Sequence, residues 1–127
     1  MELVPDPGRY SVCRLGPDGT WPSPPAEGGL FAVTRTAAEL SVVCPEGAEP
    51  EGARVEPGWR ALHLVGPLDF GLVGVIASVT VPLAGCGIGV FVLSTYDTDV
   101  VLVKDEDLDQ AIDALGGAGH RVAPLRS

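Results

Sequence analysis

From Phe70 to Tyr96 the chain carries no charged residue. A stretch like that must be kept from water, either in a lipid bilayer or in a protein core. A membrane helix needs about 20 apolar residues, so length alone permits both. The residues inside decide. Pro82 removes a backbone donor from the middle of any helix. Gly85, Gly87 and Gly89 follow at alternate positions, where a helix is weakened and a turn is favoured. The flanking charges are Asp69 and Asp97, with no basic anchor close to either end. The stretch therefore reads as a buried helix feeding a buried strand, and no membrane partner is expected.

The helix is expected from about Val73 to Ala84. Leu72, Val75, Ile76, Val79 and Leu83 recur at helical spacing and make one apolar face. Many of these residues are β-branched, so tertiary burial must hold the helix. A strand from Trp59 to Val65 precedes it, closed by Gly66-Pro67. Ile88–Thr95 and Asp99–Lys104 read as strands joined by a Tyr96-Asp97-Thr98 turn. Asp105-Glu106-Asp107 places negative charge where a helix N-terminus favours it. Leu108, Ala111, Ile112 and Leu115 give that second helix its buried face, and Gly116-Gly117 stop it. His120–Ala123 is a short last strand. The order β-α-β-β-α-β predicts an α+β, ferredoxin-like unit with both helices on one face of an antiparallel sheet. Its strands are apolar on both faces, so a further layer must cover the second: the N-terminal half, another subunit, or both.

The N-terminal half is sparser. Tyr10–Leu15, Leu30–Arg35 and Leu40–Cys44 read as strands. Gly16–Gly29 is a Pro/Gly-rich loop, and Pro45–Gly58 an acidic connector. Thr36-x-x-Glu39 has capping-box spacing, suited to one short helical turn. Two domains are expected: 1–58, a reduced version of the same unit with its connector, and 59–127, the full unit.

The net charge of −9 and a pI near 4.4 exclude nucleic acid as a partner, since no Lys/Arg cluster offsets them. Cys13, Cys44 and Cys86 are odd in number and lack C-x-x-C spacing. They read as buried free thiols of a cytoplasmic protein. Met1–Tyr10 has no basic start and no apolar run, so no signal peptide is expected.

Several strings resemble a known family. Thr34-Arg35-Thr36 followed by Glu39-Leu40-Ser41-Val42-Val43-Cys44-Pro45-Glu46 resembles the first half of the small bacterial tandem ACT-domain proteins related to the CASTOR arginine sensors. Gly66-Pro67-Leu68-Asp69-Phe70, Gly74-Val75-Ile76-Ala77 and Ser94-Thr95-Tyr96-Asp97-Thr98-Asp99 resemble the second half. The resemblance implies two ACT-like units side by side, no enzymatic activity and no cofactor. It implies an amino-acid pocket at an interface between units, with Gly74, Val75, Ile76, Thr95, Tyr96, Thr98 and Asp99 as ligand-binding residues. Leu72 stands roughly where the arginine sensors carry a carboxylate, which points away from arginine. Val100 stands where an aromatic residue is expected.

The chemistry of the residues agrees with that assignment. An amino-acid carboxylate needs N–H donors, which a helix N-terminus supplies. Gly74 permits close approach to that backbone. A ligand ammonium needs an acceptor, which Asp97 or Asp99 offers, and the Ser94 and Thr95 hydroxyls extend the polar set. Asp97 and Thr98 are equally suited to a plain hairpin turn. No catalytic set is visible. Gly85-x-Gly87-x-Gly89 follows a helix, the reverse of a dinucleotide motif. Asp97-x-Asp99 lacks a calcium-loop pattern, and no metal is expected. His63 and His120 read as structural. The functional expectation is a non-catalytic, amino-acid-sensing regulatory module that forms a homodimer. The alternative is an interaction or dimerisation module that has lost its ligand.

Overall fold

The computed structural model describes residues 1–26, 28–66 and 73–124. The strands are β1 (Glu2–Leu15), β2 (Ala32–Arg35), β3 (Leu40–Pro45), β4 (Arg54–Leu64), β5 (Val90–Ser94), β6 (Asp99–Lys104) and β7 (Arg121–Val122). The helices are α1 (Val75–Gly85) and α2 (Leu108–Gly117), the latter entered through a 3-10 turn, Asp105–Asp107. The chain forms two compact units, Gly8–Trp59 and a unit that joins Met1–Pro7 to Arg60–Ser127. The sequence boundary at 58/59 falls beside this one, but the first seven residues belong with the C-terminal unit.

In the C-terminal unit the strands run in the order β7-β1-β4-β6-β5. The β5–β6 hairpin is antiparallel, from Val90 opposite Val103 to Ser94 opposite Asp99. β7 pairs in parallel with the start of β1, Glu2 opposite Arg121 and Leu3 opposite Val122. Residues 2–7 thus lie between the first and last strands of the expected βαββαβ unit. Pro5, Asp6 and Pro7 are poor strand formers, so nothing local marks these residues as a strand. Both prolines fall past the two-residue β7 ladder, so no β7 hydrogen bond is lost to their missing N–H groups.

The core of this unit lies on one face of the sheet. Leu62 and Leu64 of β4 and Val101 and Val103 of β6 meet Val79 and Leu83 of α1 and Ala111 and Leu115 of α2. Alternate strand residues share a face, so this set places both helices on the same side, as the crossover rule requires. Val100 and Leu102, which point the other way, are also buried, so β6 is covered on both faces. Val75 and Ile76 are half-buried against the core. Leu72, the expected start of the apolar face, and the Pro67–Phe70 string lie outside the described residues.

Pro82 does sit inside α1. Ser78 Oγ and Thr80 Oγ1 donate to the carbonyls of Val75 and Ile76 at 2.6 and 3.0 Å, the back-bonding these residues use mid-helix. Cys86 is exposed rather than buried, because it caps the C-terminus of α1 and projects beyond the last packed turn. His63 Nε2 is 3.1 Å from Asp6, and Arg60, nearly buried, pairs with Asp105 at 3.0 Å.

In the N-terminal unit β3 lies between β2 and β1, antiparallel to both. Cys13, Val42 and Cys44 form its core on one face, with Leu15, Phe31, Val33, Ala48 and Ala53 packed around them. Among the described residues no helix covers that face; Leu15 and Val33 come from β1 and β2, and Phe31, Ala48 and Ala53 from the loop after β1 and the connector after β3. The expected helical turn at Thr36-x-x-Glu39 is a hairpin loop instead. Thr36 Oγ1 accepts from the amides of Ala38 and Glu39 at 3.1 and 3.2 Å, as an N-cap would, but Thr36 N donates to Glu39 O at 2.9 Å. Strand pairing resumes at once at Arg35–Leu40, so no helix can propagate.

Candidate functional site

Two segments carry the seven residues singled out by sequence. Gly74, Val75 and Ile76 open α1. Gly74 has φ 79° and accepts the first helical bond, from Ser78 N at 2.9 Å. That left-handed conformation suits glycine, and a Cβ there would meet nothing within 4 Å. Gly74 offers no side chain to cap the helix, so among the described residues the first amides of α1 have neither a helical acceptor nor one from the N-cap, the arrangement that favours an anion. The preceding Val73 is 96% exposed.

Thr95, Tyr96, Thr98 and Asp99 belong to the β5–β6 turn. The turn closes on itself: Thr95 N donates to Thr98 O at 2.7 Å, Thr95 Oγ1 donates to the same oxygen at 2.9 Å, and Thr98 N donates to Thr95 Oγ1 at 3.2 Å. Thr98 Oγ1 then donates to Leu64 O at 2.8 Å, fastening the hairpin tip to the end of β4. Gly66 completes the fit, since a Cβ there would lie 2.9 Å from Thr98 Cβ and 3.0 Å from Asp97 O. Sequence reading saw Gly66 only as a strand terminator. Its tight packing against the turn was not foreseeable, because the partner is more than thirty residues away in the chain.

Both segments belong to the C-terminal unit. The hairpin tip is bonded to Leu64, and Val75 and Ile76 pack on the core that contains Leu64. The structure does not give the candidates equal freedom. Thr95 and Thr98 hydroxyls already donate within the turn or to β4. Tyr96 is 81% exposed, and Asp97 and Ser94 are exposed too. Asp99 is half-buried opposite Ser94, at the first position of β6. Val100 behind it is buried, so it backs the turn as core and does not offer a pocket wall. Among the described residues no group of three His, Cys, Asp or Glu side chains could hold a metal ion. Among them, too, no helix is long and apolar enough to cross a membrane.

The ACT-domain family matches residues 54–116, and a separate N-terminal-domain family matches residues 8–51. A crystallised protein from Agobacterium tumefaciens is 39% identical over 96% of this chain and 91% of its own, with a TM-score of 0.88. The chain belongs to the ACT-domain family. The fold recurs at lower identity in two further structures. One is the ligand-free regulatory subunit of aspartate kinase from Thermus thermophilus, at 16% identity and TM-score 0.64, covering 91% of this chain and 95% of that one. The other is E. coli aspartokinase III in complex with aspartate and ADP, at 12% identity and TM-score 0.66, covering 91% of this chain and 32% of that one. This ACT protein therefore shares the α+β ferredoxin-like architecture expected from its element order.

Proposed function

We propose that this ACT protein is a non-catalytic regulatory module that binds an amino acid at the end of β4, between the first turn of α1 and the β5–β6 turn of the same unit. The observation that carries the reading is the start of α1, where the left-handed Gly74 supplies no side-chain cap, in the same unit as a hairpin tip fastened to the end of β4. In this reading the ligand carboxylate takes the amides of Val75 and Ile76, and Asp99 takes its ammonium. Tyr96 folds over the occupied site, and Thr95 and Thr98 hold the turn that presents Asp99. Kinship with the CASTOR sensors extends to fold and site position, and the ligand is an amino acid other than arginine. The protein acts in the cytoplasm as a homodimer.

The Thermus thermophilus structure supports a regulatory role, since it is the regulatory subunit of an aspartate kinase. A thermal-shift panel of the twenty amino acids tests the reading. A ligand at 100 times its Kd adds about 2.7 kcal/mol. For a chain of this length that raises Tm by about 10 °C. Asp99→Ala abolishes the shift. A flat panel transfers the assignment to the second reading, a protein-interaction module without a ligand. One observation favours that alternative: the edge strand β5 (Val90–Ser94) carries no charge and no proline, the usual guards of an open sheet edge.

A further inference from the structure

The N-terminal unit contains a cleft that the proposed site does not use. It has a volume of about 670 Å³ and lies between the loop after β1 and the connector after β3. Leu15, Trp21, Pro22, Ala48 and Pro50 line it, with the Thr20 and Ser23 hydroxyls beside them. Its size falls within the range of small-molecule pockets.

Three features mark it as built. Trp21 is 55% exposed, unusual for the largest apolar side chain, yet it is held in place. The Arg35 guanidinium sits over its ring, 5.3 Å from the centroid, and Arg35 Nη2 donates to Gly19 O at 3.4 Å. Arg35 does not line the cleft, so the indole meets it with its remaining surface. The opposite wall is equally fixed. Ala48 N donates to Pro45 O at 3.0 Å and Ala53 N to Pro50 O at 3.3 Å, while Ala48 and Leu15 rest on the Cys13–Val42–Cys44 core. Charge is the third feature. Of the carboxylates between β3 and β4, Glu46 pairs with Arg9 at 3.4 Å, and Glu49 is turned to Ser11 Oγ at 2.7 Å and the Gly47 amide at 2.9 Å. Among the described residues, Glu51 is left as the one ionisable side chain lining the cleft.

We propose that this cleft is a second binding site, for a small aromatic amine. Its planar ring stacks on Trp21 between Pro22 and Pro50. Its ammonium faces Glu51, with the Thr20 and Ser23 hydroxyls as further acceptors. A zwitterionic amino acid is disfavoured, since among the described residues no lining cation receives its carboxylate. The site is independent of the one proposed above.

Tryptamine and indole-3-propionate share a ring and differ in the sign of the side-chain charge, so they separate stacking from charge. The test is a ¹⁵N–¹H NMR titration of the whole chain with each. Tryptamine is expected to move the Trp21 indole N–H and the amides of residues 19–23 and 48–51, and indole-3-propionate to bind more weakly. Glu51→Gln, at an exposed position, weakens tryptamine by about two- to fivefold, as expected for a solvent-exposed charge pair. Trp21→Ala removes the shifts at 48–51, and Asp99→Ala leaves all of them intact. Absence of shifts at millimolar tryptamine overturns the proposal. So does equal binding of both probes, or retention of the shifts at 48–51 in a folded Trp21→Ala protein.

Discussion

Pro82 has no N–H, so the carbonyl of Ser78, four residues earlier in α1, loses its helical donor. His120 Nε2 lies 2.7 Å from that oxygen. A carbonyl only accepts, so Nε2 carries the proton and an imidazole replaces the missing amide. The bond ties α1 to the segment just before β7. Its loss in His120→Ala costs about 1 kcal/mol, the ordinary net value of a neutral hydrogen bond. The cost is not larger because Ser78 is exposed and water can reach its carbonyl. Pro82→Ala gives α1 back an N–H at the helical distance from the same oxygen. In that background the histidine competes with a backbone donor, and its removal should cost about 0.5 kcal/mol or less. A double-mutant cycle by urea unfolding at neutral pH measures the difference. If His120→Ala costs the same in both backgrounds to within about 0.3 kcal/mol, the two residues do not share the Ser78 carbonyl and the argument fails.

The thiols should divide by burial: Cys86 reacts with Ellman's reagent in the native protein, whereas Cys13 and Cys44 react only on unfolding. Burial, then the neighbouring Cys13 and Glu49, pushes the Cys44 thiol from its ordinary 9.0 up to about 12, so its contribution to stability is intact below pH 9. That contribution is lost as pH rises through the folded value, and urea stability that stays flat between pH 9 and pH 12 would contradict this. The Ser11 hydroxyl, opposed by partial burial and aided by backbone amides, holds Glu49 below its ordinary 4.5, so its contribution is present above that pH and fades as pH falls; Ser11→Ala should flatten the acid limb of a stability–pH curve. Gly66→Ala drives a methyl to 2.9 Å from Thr98 Cβ, and should cost about 1–3 kcal/mol in urea unfolding as the hairpin tip is forced off β4.

Much of the C-terminal unit was legible because its signals are local. The period-3.6 apolar face named Val79 and Leu83, both fully buried, and the acidic triplet at Asp105–Asp107 opens the second helix as expected. What escaped depends on distant partners. Residues 2–7 become a strand only because β4 and β7 lie beside them, and nothing in Pro5-Asp6-Pro7 announces that. The Thr36-x-x-Glu39 capping spacing points to a helical turn, but the same hydroxyl-to-amide bonds close a hairpin as readily as they start a helix, and here they close a hairpin. Four paired residues of β-sheet on either side decided between them. Trp21, in a loop read as mere Pro/Gly connection, could have been noticed as an indole with no apolar neighbours in sequence to bury it.

The same contrast bears on how the seven site candidates divide. A side chain already committed to a bond within the fold can present another group, but it has less left to offer a ligand. Thr95 and Thr98 spend their hydroxyl protons on Thr98 O and Leu64 O, so their replacement should act first on the geometry of the turn. Asp99 is placed by that turn, and the amides after Gly74 owe their freedom to a glycine conformation and to the lack of a side-chain cap. In the proposed site, selectivity for an amino acid depends on the separation between those amides and that carboxylate. This separation is set by two fastenings: Thr98 on Leu64, and Val75 with Ile76 on the core beneath. Thr98→Val removes the first and keeps the side-chain shape. It should therefore lower the affinity for every amino acid that binds while leaving the Trp21 cleft unaffected. A variant that instead kept full affinity would show that the hairpin does not position the ligand.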